Sequence, residues 1–141
     1  MGFIDSLGKR YTHLAPWVLR FGLAIVFILF GVHKLQAPAQ TASEVQYLFN
    51  LQLKFATFIN FYVGLLEIGV ALLLFSGKKI RLAGLLAAGM TFMIFLSFVV
   101  KNKGLGVDPN LYRDLGLSGM GLALFFLGKG EKENVPPILP Q

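Results

Sequence analysis

Residues 55–75 read FATFINFYVGLLEIGVALLLF, an apolar run interrupted by a single carboxylate, Glu67. As a helix rising 1.5 Å per residue, the run is about 30 Å long, the thickness of a bilayer's hydrocarbon core. It is apolar on every side, so no polar face is left for water. An acid in such a helix points to surroundings of hydrocarbon with a sheltered interior.

Three further stretches have similar length and character: WVLRFGLAIVFILFGVHKL at 17–35, IRLAGLLAAGMTFMIFLSFVV at 80–100 and LYRDLGLSGMGLALFFLG at 111–128. The composition agrees. Of 141 residues, 55% are hydrophobic and 14% charged, against roughly 45–50% and 25% in soluble domains. The net charge is +6. Its basic residues lie between apolar runs rather than in one patch interleaved with aromatics, which excludes a nucleic-acid binder. The absence of cysteine excludes disulfides, thiol redox chemistry and Cys-ligated zinc or iron–sulfur clusters.

The pattern predicts an all-α, integral membrane, antiparallel four-helix bundle. It forms one domain over residues 1–130, followed by a solvated tail, EKENVPPILPQ, at 131–141. Ser76-Gly77-Lys78-Lys79 is short enough only for a tight hairpin. Gly104, Gly106 and Asp108-Pro109 mark turns before the fourth span, with Asn110 as its N-cap. In the first loop, after Pro38, Val45, Leu48 and Phe49 stand at i, i+3, i+4 and predict a short amphipathic helix. Lys9-Arg10, an apolar core and Ala37-Pro38-Ala39 also resemble a signal peptide. His33 and Lys34 interrupt that pattern and the segment is too long, so it reads as a retained span.

Lys and Arg counts set the expected orientation. Lys9, Arg10, Arg20, Lys78, Lys79, Arg81, Lys129 and Lys132 fall on one side; Lys34, Lys54, Lys101, Lys103 and Arg113 fall on the other. Eight against five places both termini in the cytoplasm of a multi-pass cell-membrane protein.

Charges inside spans are costly and are functional candidates by default. Arg20, one turn inside the cytoplasmic end, is expected to snorkel and anchor the interface. Lys34 and Asp114 share a depth near the outer end and are expected to pair, as either a structural lock or a site. Glu67 is deeper, about 18 Å from the outer start of its span. Its side chain leans outward and that of Lys34 leans inward. Even so, about 14 Å of rise separates their levels, too far for direct contact. Water, a ligand or the hydroxyls of Tyr62, Thr91 and Ser118 would fill the gap, with Gly64 leaving room beside the acid. His33, Lys34, Glu67 and Asp114 form the candidate ligand-binding or buried polar cluster; a hydrogen-bonded structural Glu67 is the alternative. Gly84, Ala88, Gly116, Gly119 and Gly121 are candidates for close helix contact. His13 and His33 lie about 30 Å apart along one helix and cannot share a haem. The residues indicate no metal site and no catalytic set.

LRFGLAIVFILFGVHKLQAP, GLLEIGVALLLFSG, IRLAGLLAAG and YRDLGLSGMGLALFF, in this order, resemble the four spans of DoxX-like membrane proteins. The resemblance implies a four-helix membrane fold and, for some members, a subunit of an oxidoreductase passing electrons to quinone. Lys34, Glu67 and Asp114 are the positions it carries over. The expected function is therefore an accessory subunit of a quinone-linked complex. It would bind a quinone or partner in an outward polar cavity, with Glu67 and Asp114 exchanging protons and Lys34 and His33 orienting a polar head. The alternatives are a non-redox carrier of a small amphipathic metabolite or lipid, and a scaffold or chaperone for membrane proteins. Expected partners are the lipid bilayer and other redox subunits, and no nucleic acid; the residues leave the oligomeric state open.

Overall fold

The structure, a computed structural model, describes residues 2, 4, 6, 10–104 and 109–128. Its helices are α1 (Ala15–Gln36), α2 (Ser43–Phe49), α3 (Leu53–Ser76), α4 (Ile80–Lys101) and α5 (Pro109–Leu127). The tail at 131–141 and the turn at 105–108, with Gly106 and Asp108, lie outside the described residues.

Helix boundaries follow local chemistry. Pro16 stands in the first turn of α1, where its fixed φ favours helix and its missing N–H costs nothing. Pro38 disfavours helical geometry at the preceding residue, and α1 ends with Ala37 at φ −136°. α3 stops at Gly77, whose φ of +67° suits glycine. α5 begins at Pro109, so Asn110 lies inside its first turn rather than before it.

The burial pattern is inverted relative to a soluble protein. Arg20, Asn60, Glu67, Thr91, Asp114 and Ser118 are all buried, whereas Leu29, Phe58, Leu66, Met93 and Phe126 are more than half exposed. Water would drive the opposite arrangement; hydrocarbon favours this one. Three helical stretches, Thr12–Gln36, Leu53–Ser76 and Ile80–Lys101, are long and apolar enough to cross a membrane. The protein is a membrane protein with at least these three candidate spans. The shorter α5 carries Arg113 and Asp114 near its start and is more polar.

The four long helices form two tight pairs. α1 packs chiefly on α3 and α4 on α5, while the α3–α4 and α1–α5 seams are narrower. Leu23, Phe27, Ala71, Leu74, Ala83, Ala87, Leu117 and Leu124 fill the shared core. In the first pair, a Cβ on Gly31 would lie 2.8 Å from the carbonyl oxygen of Gly64. In the second, a Cβ on Gly121 would lie 2.7 Å from both the Gly84 oxygen and the Ala88 nitrogen. Backbones come this close only where side chains are absent. Gly116 and Gly119, expected to share this role, have open space where a side chain would stand.

Each pair also sets an arginine against a helix-terminal glycine at the hairpin end. A Cβ on Gly77 would meet the Arg20 guanidinium at 2.9 Å, and one on Gly128 would meet Arg81 Nε at 3.0 Å. Both glycines adopt positive φ at the ends of α3 and α5, where helix carbonyls favour a cation. Arg20 is sandwiched further, its Cζ 4.1 Å from the Trp17 ring centre and 4.7 Å from that of Phe21.

Candidate functional site

At the opposite end of the bundle, Lys34 Nζ donates to Glu67 Oε1 at 2.6 Å. This corrects the expected separation. The register, not the lean of the side chains, differs. If the ends of α1 and α3 were level, Lys34 would stand near residue 55. Instead a Cβ on Gly64 would lie 3.0 Å from Lys34 Cβ and 3.1 Å from the Gly31 oxygen. Lys34 is therefore level with Gly64, one helical turn from Glu67. The first two turns of α3 run on past the end of α1. Gly64 leaves no cavity; the α1 backbone occupies that space.

The crossover covers the overhang. Asn60, fully buried, donates through Nδ2 to Pro38 O at 3.1 Å and to Thr41 Oγ1 at 2.6 Å. The Thr41 N–H and hydroxyl both bond back to Ala37 O. Residues 37–42 thus form a fixed turn against α3. Further along, α2 lies across the end of α4. The Tyr47 hydroxyl donates to Asn102 Oδ1, its ring stacks on Phe98, and Lys101 Nζ lies 5.6 Å from the same ring.

Asp114 is buried and accepts from Arg113, Nη2 at 2.9 Å and Nε at 3.0 Å. Lys34 therefore engages Glu67 in place of the Asp114 partner expected for it. Asp114 and Glu44 nonetheless lie within Coulombic reach of Glu67. Lys34 and Arg113 approach the same ring, that of Phe30, at 5.7 and 4.8 Å. Of the two Glu67 oxygens, Oε2 is buried without a hydrogen-bond partner.

A pocket of about 230 Å³ opens beside this cluster, lined by Phe30, His33, Lys34, Thr41, Ser43, Glu44 and Arg113. It joins three nitrogen-bearing side chains, His33, Lys34 and Arg113, and two hydroxyls, Thr41 and Ser43, to one acid, Glu44. Of the expected cluster, His33 and Lys34 line the pocket, and Glu67 is reached through the Lys34 ammonium. Thr91 and Ser118 are buried, with the Thr91 hydroxyl bonded to Ala87 O within its own helix. Tyr62 is half exposed on the outside. Arg20 belongs to the other end of the bundle, beside Trp17 and Gly77.

Three of the four stretches singled out in the sequence, 17–35, 55–75 and 111–128, thus supply one polar cluster. The DoxX family model matches residues 15–101. The chain belongs to the DoxX family. The match takes in α1 to α4, and with them His33, Lys34, Glu44 and Glu67; Arg113 and Asp114 on α5 lie beyond it. Among curated proteins and solved structures, nothing matches.

Sequence reasoning did not single out Phe30, Thr41, Ser43, Glu44, Asn60 or Arg113 for this site. One signal was available. Asn60, Gly64 and Glu67 stand at i, i+4 and i+7, on one face of a predominantly apolar helix. The loop residues carry no such periodicity.

Proposed function

We propose that this DoxX protein is an accessory subunit of a quinone-linked membrane oxidoreductase and receives a quinone head in the Lys34 pocket. In this reading all four long helices cross the membrane, both termini are cytoplasmic and the pocket faces outward. The observation that carries it is the Lys34–Glu67 pair, its acid buried and its amine partly exposed, beside a pocket rich in donors. A bound quinone supplies two-electron, two-proton redox chemistry.

This chain's residues supply the surroundings. The Lys34 ammonium, the Arg113 guanidinium and the His33 ring present N–H donors to carbonyl oxygens, and Phe30 offers an aromatic wall. Lys34 has three N–H donors, so it can hold Glu67 and a ligand oxygen together. The unpartnered Glu67 Oε2 has room for one proton, which fits a group that takes and returns protons. Asp114 and Arg113 set the charge of the opposite wall.

The test is quinone content after purification in mild detergent, measured by mass spectrometry against bulk membrane lipid. Enrichment in the wild type and its loss in Lys34→Met is the expected result. No enrichment in the wild type overturns the reading. Because the chain has no cysteine, Lys103→Cys and Lys129→Cys report on α5 directly: a single impermeant reagent should label the first from outside and not the second. Labelling of both would remove the fourth crossing.

A further inference from the structure

A second recess lies around the edge of α3 from the polar pocket. It has a volume of about 520 Å³ and is lined by Pro38, Lys54, Phe55, Thr57, Phe58 and Phe61. The two recesses differ in chemistry. In this groove the Thr57 hydroxyl is already bonded to Leu53 O at 2.8 Å, and apart from Lys54 the rest of the lining is aromatic or aliphatic. Its walls suit an apolar chain, with Lys54 the one charged group among them. The polar pocket is limited in size. At about 230 Å³ it falls below the roughly 300–1,000 Å³ of small-molecule sites, so it can hold a head and little more.

One turn of backbone links them. Pro38 lines the groove and Thr41 the pocket, and Asn60 bonds to both from beneath. We infer that pocket and groove are two halves of one site for a single-tailed quinone, its head against Lys34 and its apolar chain crossing the Pro38–Thr41 turn onto Phe55, Phe58 and Phe61. The inference rests on the reading of the Lys34 pocket as the quinone site and adds where the rest of the molecule lies. The argument for one chain of the same molecule, rather than a separate lipid, is this continuity. The pocket is too small for a whole ligand, and the turn that bounds it is the turn that bounds the groove. Phe55 and Phe58 are more than half exposed on the outer face of α3, so the chain would enter sideways from the bilayer.

The test uses the full chain in phosphatidylcholine nanodiscs and two benzoquinones with the same head, one without a tail and one with a ten-carbon chain. Occupancy is read by native mass spectrometry at equal mole fraction in the bilayer, which cancels simple partitioning. The wild type should hold the tailed probe about a hundredfold more tightly, the low end of what tethering two contacts gives. Thr57→Trp, which fills the groove, and Phe58→Ala, which strips one wall, should each cut the tailed probe toward the affinity of the tail-free one, with helical content by circular dichroism confirming folding. An unchanged tail advantage in both variants overturns the inference while leaving the head pocket intact. A phospholipid that stays in the groove whatever probe is added also overturns it. Failure of the pocket reading itself has a different signature: the tail-free probe would bind wild type and Lys34→Met alike.

Discussion

The two helix pairs reach the same intimacy by different means. In α4–α5, Gly84, Ala88 and Gly121 bring backbone onto backbone. In α1–α3, a glycine pair makes a comparable approach, but beside it stands an ion pair that reaches a pocket. A bilayer gives helices no hydrophobic reason to associate, so small-residue packing and polar bonds must hold them. The α4–α5 pair relies on the first at its glycine contact. The α1–α3 pair uses both, and its polar part is the one that borders a pocket. The comparison separates scaffold from site within one small bundle.

Gly121→Leu should break the scaffold most severely. Even Gly121→Ala places a Cβ against backbone, and overpacking of this kind costs about 1–3 kcal/mol. The leucine variant should lose its monodisperse peak in size-exclusion chromatography, whereas Gly119→Ala, which meets nothing within 4 Å, should not. Lys34→Met comes next. It leaves Glu67 buried and unpaired, a change worth about 3–5 kcal/mol where buried pairs are broken from one side. Thermal unfolding by circular dichroism should show a large drop, and adding Glu67→Gln should recover much of it. A drop of equal size in the double variant would mean that the pair is not the source.

Asn60→Leu sharpens the site side of the comparison. It removes two hydrogen bonds to the 37–42 turn, each worth about 0.5–1.5 kcal/mol. Hydrogen exchange should rise across that turn and stay unchanged at the α4–α5 contact. The smallest effect is expected from Tyr47→Phe, which removes an exposed bond to Asn102. It should cost about 0.5 kcal/mol, visible as faster exchange in 43–49 only.

Much of the fold was legible because its signal is long. Four apolar runs and the Ser76–Lys79 hairpin appear within one or two residues of the observed helices, and Val45, Leu48 and Phe49 marked α2. The site was legible in composition and not in register. Lys34 and Glu67 were both visible as charges in apolar surroundings, and their side-chain directions followed from helix geometry. Their separation did not, because it depends on how far α3 overshoots α1. That offset is set by tertiary contacts: Gly31 on Gly64, and Asn60 on the crossover. Levelling the helix ends placed Lys34 opposite residue 55, and so opposite the wrong acid. Arg113 was counted for topology but not for the site, since a charge next to Asp114 in sequence carries no depth information of its own.

The order of partners along the chain has a consequence for biogenesis. Arg20 finds Gly77 and Lys34 finds Glu67 within the first 77 residues, so the α1–α3 unit can close while the ribosome is still delivering α4. For α4, with its bare glycine face, the matching surface comes only when residues 121–128 emerge. Until then Gly84 and Ala88 are an open seam in the bilayer, and it is this late-closing half that any insertion factor would have to shield.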